Sequence, residues 1–498
     1  MYIFLRNNDY RYAAEQMLLM LFPEERPVYP SADLGPREEN AVELELKHGK
    51  TYTTAVCRLR YDRRTAQKHV RARTDGIRAG EERARIEQRI LKLAFYRAAL
   101  DVGVPKPEWG CLTGVRPAKF LAGLMQKDGL TETAAVRMLT ETFGVSKERA
   151  SLALAAERAA ARAKAALAPQ DVCLYIGIPF CPTRCAYCSF VSVDAPKLLK
   201  SIPDYLNALE QEMRSTAAAV KAAGRRIVAV YIGGGTPTTL SAPELDRLLE
   251  DTKACFDLSA CREFTVEAGR PDTVTEEKLA VLVSHGVNRV SVNPQTMSDA
   301  VLEEIGRHHT AAQVREAVAM VKKFPQLAFN MDLIAGLPGD TPESFAATVC
   351  EVIALGAENI TVHTLALKKG SRFLTEGTAL PDGKAVGKML GDAREKLEAA
   401  GYAPYYLYRQ KFMSGSFENV GWTKPGYENL YNICIMEELC GILAVGAGGS
   451  TKLTAPGGIV KRLMAPKYPR EYMDRIARTC AEKDEIVRFY NSEPKGTN

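Results

Sequence analysis

Three cysteines stand close together in the segment IPFCPTRCAYCSF, which covers residues 178–190. Cys181, Cys185 and Cys188 are spaced C-x3-C-x2-C, so one short loop can carry all three sulfur atoms. A disulfide is not expected in a reducing compartment, and a structural zinc site would need a fourth ligand, which does not follow at a suitable spacing. Three thiolates without a fourth protein ligand are typical of an iron–sulfur cluster with one iron open to another molecule.

The composition and the amino terminus predict a location in the cytoplasm, which is a reducing compartment. The 498 residues are 46% hydrophobic and 25% charged, which is typical of a globular enzyme, and the net charge of +6 allows an anionic substrate. The first residues lack the apolar core of a signal peptide. No apolar run approaches the roughly 20 residues that span a bilayer. We therefore expect a cytoplasmic protein without a membrane span.

Six short β-rich runs follow Pro169, and helical patterns separate them. The predicted strands cover 173–178, 226–232, 263–267, 288–292, 328–334 and 359–364. The predicted helices cover 202–222, 242–255, 274–284, 311–323 and 343–354. Successive β-α units imply parallel strands with right-handed crossovers. A doubly wound sheet and a closed or partial barrel both fit this alternation.

Glycine, proline and polar residues collect at the same end of every predicted strand. The cysteine loop follows the first strand, GGGTPT (233–238) the second, EAGRPD (267–272) the third and NPQT (293–296) the fourth. The segments DLIAGLPGD (332–340) and HTLALKKG (363–370) overlap the ends of the last two strands. Because the carboxyl ends of barrel strands carry the active site, we expect these segments to form one catalytic site.

Three domains are predicted along the chain: an amino-terminal accessory α/β domain (1–165), a core (170–385) and a carboxyl-terminal accessory region (386–498). The first contains a predicted hairpin over 41–60 with Gly49 in its turn, and an alanine-rich helix over 147–168 ends it. The basic segment from Arg58 to Arg97 becomes helical in its second half. It also contains glutamates, so a solvated helix face is expected there rather than a nucleic-acid surface.

The motif set resembles a known superfamily. YIGIPFCPTRCAYCSF, GGGTPT, TVEAGRPD, RVSVNPQT and IGRHH together resemble the radical S-adenosylmethionine (SAM) superfamily and, within it, the oxygen-independent coproporphyrinogen III oxidase family. The resemblance is strong over about 170–498 and weak before that. It implies an α/β fold, a partial (β/α)6 TIM-like barrel. It also implies a [4Fe-4S] cluster on Cys181, Cys185 and Cys188, with SAM chelating the open iron.

The resemblance also implies a set of positions that contact SAM. They are Tyr175, Tyr187, Gly234, Gly235, Thr236, Glu267, Gln295, Arg307, Asp332 and Ala366. Their chemistry is suitable, since backbone at a glycine turn can approach the methionine amine closely. An arginine can pair with the methionine carboxylate. The acidic and amide side chains can bond ribose hydroxyls, and Tyr187 can pack along the adenine.

The activity that the resemblance implies is the oxidative decarboxylation of coproporphyrinogen III propionates to the vinyl groups of protoporphyrinogen IX. A low-potential donor such as a flavodoxin or a ferredoxin would supply electrons. The substrate is an anionic tetrapyrrole, so cations should bind its carboxylates. Location alone suggests five candidates, which are Lys368, Lys369, Arg372, Arg409 and Lys411.

One residue keeps other functions open. Decarboxylating relatives carry a further cysteine two residues after the third ligand, where this chain has Phe190. Relatives with phenylalanine at this point include haem-binding chaperones, so a chaperone without decarboxylase activity is an alternative. A tRNA-modifying enzyme that grips RNA with its basic amino-terminal region is another. Of the histidines, His308 and His309 are expected at the surface or behind the cofactor contacts, and His363 is a candidate to face the cavity.

Overall fold

The computed structural model describes residues 1–30, 40–78, 80–188, 199–367, 371–410, 414–455 and 459–492. These residues form two compact units, Met1–Leu154 and Ala155–Asn498. The boundary falls inside the alanine-rich helix, somewhat before the predicted position at Pro169. The predicted separation of the second unit into a core and a carboxyl-terminal region stays a prediction, because a single sheet runs through both parts.

The first unit is built on a four-stranded sheet of order β1-β2-β3-β4. Its elements are β1 (Tyr2–Arg6), α1 (Arg11–Leu21), β2 (Ala41–His48), β3 (Tyr52–Tyr61), β4 (Arg64–Arg73), α2 (Glu81–Asp101), α3 (Pro117–Lys127), α4 (Glu132–Arg137) and a π-helical turn at Met138–Thr142, followed by α5 (Lys147–Ala165). The structure contains the hairpin predicted over 41–60, with β2 and β3 antiparallel. It adds β4, which lies within the basic segment and pairs with β3.

The second unit contains six parallel strands that are adjacent in chain order. They are β5 (Asp171–Ile178), β6 (Arg226–Gly234), β7 (Glu263–Glu267), β8 (Arg289–Ser291), β9 (Ala328–Ala335) and β10 (Asn359–Thr364). The helices between them are α6 (Ile202–Ala222), α7 (Ala242–Cys255), α8 (Glu276–Ser284), α9 (Asp299–Glu304), α10 (Ala311–Val321) and α11 (Pro342–Leu355). The predicted α/β class is confirmed, and each predicted strand overlaps an observed one.

The carboxyl-terminal quarter of the chain extends this sheet at both edges. Its elements are α12 (Arg372–Glu376), α13 (Gly383–Ala399), β11 (Ala403–Tyr408), β12 (Asn419–Thr423), α14 (Leu430–Glu437), β13 (Gly441–Val445), β14 (Ser450–Ala455), β15 (Ile459–Met464), α15 (Pro469–Asp474), α16 (Ile476–Ala481) and α17 (Asp484–Asn491). β12 pairs antiparallel with β10, and β13 pairs parallel with β5. Within the described ranges β5 and β10 do not pair with each other, so the six-stranded arrangement is open, as in a partial barrel.

Short-range sequence signals set the helix starts. Ser241, Thr275, Thr310 and Thr341 each accept a hydrogen bond from a backbone N–H in the first turn of the helix that follows. Such caps satisfy donors that have no partner inside the helix. Because these signals are local, the predicted limits of the crossover helices agree closely with the observed ones.

A buried polar network lies at the amino ends of β7, β8 and β10. The Arg289 guanidinium donates to Asn330 Oδ1 and to the Tyr427 carbonyl, each at 3.0 Å. The Glu263 carboxylate lies 3.7 Å from Arg289 and accepts the backbone N–H groups of residues 430 and 431 at 2.8 and 3.0 Å. Buried charges are retained only when paired in this way. The network therefore anchors the start of α14 against the strands.

No helix in the described part of the chain combines the length and the apolar character needed to cross a membrane.

Candidate cofactor site

The cysteine loop lies between β5 and α6 and is held at its middle by backbone hydrogen bonds. Ala186 N donates to the Ile305 carbonyl at 3.0 Å, and Arg372 N donates to the Ala186 carbonyl at 2.9 Å. Cys185 is buried, whereas Cys181 and Cys188 are partly exposed. The loop therefore has a defined position, and two of its three thiols are partly open to an approaching ligand.

The glycine turn after β6 packs directly against this loop. Gly235 N donates to the Ile178 carbonyl at 2.8 Å, and Thr236 N donates to the Phe180 carbonyl at 2.7 Å. A Cβ atom on Gly235 would lie only 2.5 Å from the Phe180 oxygen, so no side chain fits there. The Thr236 hydroxyl lies 3.6 Å from Cys181 Sγ. The structure thus brings the predicted glycine turn and the predicted metal ligands together.

Glu267 is the last residue of β7, the strand that pairs with β6. Its carboxylate accepts hydrogen bonds from Tyr231 Oη at 2.5 Å and from Gly234 N at 3.3 Å. A Cβ on Gly233 would lie 2.9 Å from the carboxylate, so this glycine also leaves room for it. Burial raises the pKa of Glu267 to about 7, and the nearby Asp332 carboxylate adds to that rise. This carboxyl group can therefore change protonation near neutral pH.

Arg307 faces the cysteine loop from the segment after α9. Its side chain is 8% exposed, and its guanidinium donates to the Asn293 carbonyl at 2.8 Å and to Tyr187 Oη at 3.1 Å. Tyr187 belongs to the loop itself, so these two predicted cofactor contacts touch each other. A buried guanidinium is a group suited to pair with a carboxylate.

The remaining predicted positions follow the same edge of the sheet. Gln295 has a positive φ of 70° and donates its backbone N–H to the Asp332 carbonyl at 2.9 Å. Asp332 Oδ2 lies 3.8 Å from His363 Nε2 on β10. The Tyr175 ring stacks on that of Tyr231 with centroids 6.3 Å apart. Ala366 is partly buried just beyond β10. All lie on one polar edge, and their contact with a cofactor stays a prediction.

Two further residues lie in this region: Arg270, which the sequence did not indicate, and His309, which was expected at the surface or behind the cofactor contacts. Arg270 donates to Thr183 Oγ1 in the cysteine loop at 2.5 Å and lies 3.2 Å from Asp272. His309 is only 2% exposed, and burial lowers its pKa to about 4, with the Arg307 charge adding to that effect. His309 is therefore an interior residue, so the surface alternative is wrong for it, whereas His308 is exposed. Arg270 lies inside the EAGRPD motif, and its place in that motif is the sequence signal that could have indicated it.

Some predicted positions lie outside the described residues. These are Phe190, Lys368, Lys369 and Lys411.

Comparison with known proteins places the chain in a family. Residues 175–350 match the radical SAM superfamily. The oxygen-independent coproporphyrinogen-III oxidase-like protein HemZ of Bacillus subtilis (strain 168) is 38% identical over 382 residues, which is 76% of each chain. The chain belongs to the HemZ-containing family of radical SAM enzymes. The resemblance read from the motifs is confirmed.

Other members of the radical SAM superfamily are similar over a smaller share of the chain. Heme chaperone HemW of Escherichia coli (strain K12) is 30% identical over 302 residues, 60% of this chain and 75% of that protein. Coproporphyrinogen III oxidase (HemN) from Escherichia coli, a radical SAM enzyme, aligns with a TM-score of 0.52 and 20% identity over 66% of this chain and 81% of its own. That likeness shows the shared radical SAM fold.

Radical SAM enzymes use a [4Fe-4S] cluster and SAM, and the residues present fit both. The cysteine loop supplies three thiols, and Gly235 lets the backbone of the glycine turn pack directly against that loop. Burial raises the pKa of the Cys181 thiol to about 11. Cys181 therefore carries its proton until a metal cation replaces it. The buried Glu267 carboxyl group and the buried Arg307 guanidinium lie in the same region, and their contact with SAM stays a prediction.

Proposed function

We propose that the chain is an oxygen-independent coproporphyrinogen III oxidase. Each of two propionates would lose a β-hydrogen atom, one electron and carbon dioxide, leaving a vinyl group. The observation that carries this proposal is the 38% identity to an oxidase-like relative across 76% of both chains. The geometry of the site supports it, because the motifs typical of the oxidase family meet at one edge of the sheet.

In this proposal Cys181, Cys185 and Cys188 hold three irons of the cluster. Arg307 binds the SAM carboxylate, and the backbone at Gly234 and Gly235 receives its amine. Glu267, Gln295 and Asp332 bond the ribose, and Tyr175, Tyr187, Thr236 and Ala366 complete the contacts. When bound, the reduced cluster and SAM would supply the radical chemistry that removes a hydrogen atom from the substrate.

The protein's own part in the reaction is to orient the cofactor and to exclude water. Thr236 and Ile305 are fully or nearly fully buried beside the cysteine loop, and Cys185 is 9% exposed. A dry, fixed site limits side reactions of a reactive species. The hydrogen bonds that pin Ala186 on both sides keep the loop from shifting when the substrate enters.

Substrate carboxylates need cations, and two of the five candidates are in the described residues. Arg409 is 7% exposed, burial lowers its pKa to about 10, and it donates to the Ser416 carbonyl at 2.8 Å. We therefore assign Arg409 a structural role and not a role in substrate binding. Arg372 is 58% exposed, its guanidinium pairs with the exposed Glu376 at 3.0 Å, and its backbone N–H bonds the cysteine loop. We assign the recognition of a substrate propionate to Arg372.

His363 is a further polar group at the carboxyl end of the parallel strands. It lies 3.8 Å from Asp332 Oδ2, and its Nδ1 is 3.5 Å from Tyr408 Oη. The line of Asp332, His363 and Tyr408 offers both donors and acceptors. We propose that His363 and Tyr408 face the macrocycle, with the pyrrole N–H groups as the hydrogen-bond donors to them.

An anaerobic assay tests the function. The reduced chain, SAM and coproporphyrinogen III should yield protoporphyrinogen IX, carbon dioxide, methionine and 5′-deoxyadenosine, with dithionite or a flavodoxin or ferredoxin as donor. Cys185→Ala should lose the visible absorption of the cluster and all turnover, whereas Cys350→Ala, an exposed cysteine outside the site, should keep both. Deoxyadenosine without carbon dioxide would contradict the decarboxylase.

A haem chaperone is the second candidate. Two observations favour it: the 30% identity to HemW over 75% of that protein, and the CSF sequence with Phe190. A chaperone should bind haem stably with the cluster in place and release no carbon dioxide from coproporphyrinogen. Equilibrium haem binding measured beside the turnover assay separates the two functions.

A further inference from the structure

Three cysteines outside the predicted site meet in the interior of the second unit. Cys173 is the third residue of β5, Cys434 lies on α14, and Cys440 directly precedes β13. Their three sulfur atoms all lie within 4.8 Å of one another, and the Cys173 and Cys440 sulfurs are 3.7 Å apart. The side chains are 0%, 0% and 7% exposed, respectively for Cys173, Cys434 and Cys440. We call these residues the buried thiol triad.

The buried thiol triad is separate from the cysteine loop. Cys173 stands near the amino end of β5, whereas Cys181 follows its carboxyl end at Ile178. Five residues of extended chain from Cys173 to Ile178 span roughly 16 Å at about 3.3 Å per residue. A group bound to the triad is therefore not the group bound to the loop.

The sulfur spacing suits a single metal ion. Metal–sulfur bonds of about 2.3 Å place the sulfurs of a trigonal or tetrahedral site about 4 Å apart. The observed 3.7 Å separation matches that value, and the upper limit of 4.8 Å leaves only a small adjustment. Thiolates select soft ions such as zinc and copper(I) over harder ones. The geometry thus favours one soft ion and not a multi-iron cluster.

Mostly apolar side chains surround the buried thiol triad. Val228, Ala229, Tyr431 and Ile442 pack around it. The thiolate is the form of cysteine that binds metals, so an ion bound here would displace thiol protons.

The triad joins distant parts of the chain. Cys173 belongs to the first of the six parallel strands, and the other two cysteines flank the connection from α14 to β13. We propose that Cys173, Cys434 and Cys440 bind one soft d10 ion, zinc or copper(I), which fastens the α14–β13 connection to β5.

Metal uptake tests the proposal. A variant with Cys181, Cys185 and Cys188 replaced by serine removes the other thiol site, and it is titrated anaerobically with zinc and, separately, with copper(I). We expect one equivalent of one of the two ions to bind, and cobalt(II) to give a sulfur-to-metal charge-transfer band where zinc binds. Measuring the zinc, copper and iron contents of the holoenzyme shows which ion the protein carries in addition to the cluster iron. This variant leaves the buried thiol triad unchanged. If it binds neither ion, the proposal is wrong.

Two paired substitutions assign the ion to these residues. Adding Cys434→Ser and Cys440→Ser should abolish the bound equivalent, with folding checked by circular dichroism. Adding Cys255→Ser and Cys261→Ser instead, two partly buried cysteines of the same unit, should leave it unchanged. Metal retained in the first pair, or lost equally in both, refutes the assignment.

Discussion

Replacing Glu267 by glutamine is expected to stabilise the second unit at alkaline pH while weakening its binding of SAM. The Glu267 pKa is raised from 4.5 to about 7 by burial, in spite of the hydrogen bond from Tyr231. The unfolded chain ionises this group first as the pH rises. Folding therefore loses stability between the two pKa values, and the loss is complete above pH 7. Glutamine is never ionised and escapes this loss.

The size of the effect follows from the shift. Each pKa unit is worth about 1.4 kcal/mol, so the raised pKa costs the folded state about 3 kcal/mol at pH 8 and about 1 kcal/mol at pH 5. Glu267→Gln should recover that difference. If Glu267 binds the cofactor, losing a hydrogen bond to an ionised group should lower SAM affinity by about 1.5–3 kcal/mol, or roughly tenfold to a hundredfold. Stability and cofactor binding thus move in opposite directions.

The two tryptophans make the stability assay specific. Trp109 lies in the first unit, and Trp422 is 2% exposed in the second. Urea unfolding of cluster-free protein in a Trp109→Phe background therefore reports on the second unit alone. Glu304→Gln, a change of an exposed glutamate on α9, serves as the control. A stability gain that is the same at pH 5 and pH 8, or a loss at pH 8, would refute the reasoning about Glu267.

Three further substitutions test other contacts. Gly235→Ala puts a Cβ 2.5 Å from the Phe180 carbonyl, so it should cost about 1–3 kcal/mol in urea unfolding and reduce SAM binding measured by calorimetry. Arg289→Met leaves Glu263 buried without its cation and should destabilise the second unit by about 3–5 kcal/mol in the same unfolding assay. Arg372→Gln should raise the KM for coproporphyrinogen III about tenfold with kcat unchanged, since a bond to a carboxylate is worth about 1.5 kcal/mol or more.

Each of these three substitutions has a matched control variant. Gly391→Ala, where a Cβ meets nothing within 4 Å, should leave SAM binding unchanged. Adding Glu263→Gln to Arg289→Met should restore much of the lost stability, because the stranded charge is then gone. Arg315→Gln removes an exposed arginine paired with Glu351, and its KM should stay at the wild-type value. Equal effects of a variant and its control would contradict the corresponding prediction.

The sequence by itself determined the order and the limits of the repeated β-α units. Strand alternation and helix caps such as Ser241 act within a few residues, so they can be read from the chain. The C-x3-C-x2-C loop and the glycine turn are equally local. Their meeting at one edge also followed, because parallel strands bring their carboxyl ends together. The strand β4 was missed, since its residues alternate between partly buried and exposed and carry few large apolar side chains.

Only the tertiary structure decided which distant side chains touch. His309 is buried and His308 exposed, although neighbouring residues have the same type and local sequence. The pairing of β13 with β5 brings Cys440 to Cys173 across 267 residues, and no local pattern encodes that pairing. Burial and long-range contact depend on how whole elements pack. For that reason the sequence gives the residues of the cofactor loop, whereas the buried thiol triad exists only in the folded chain.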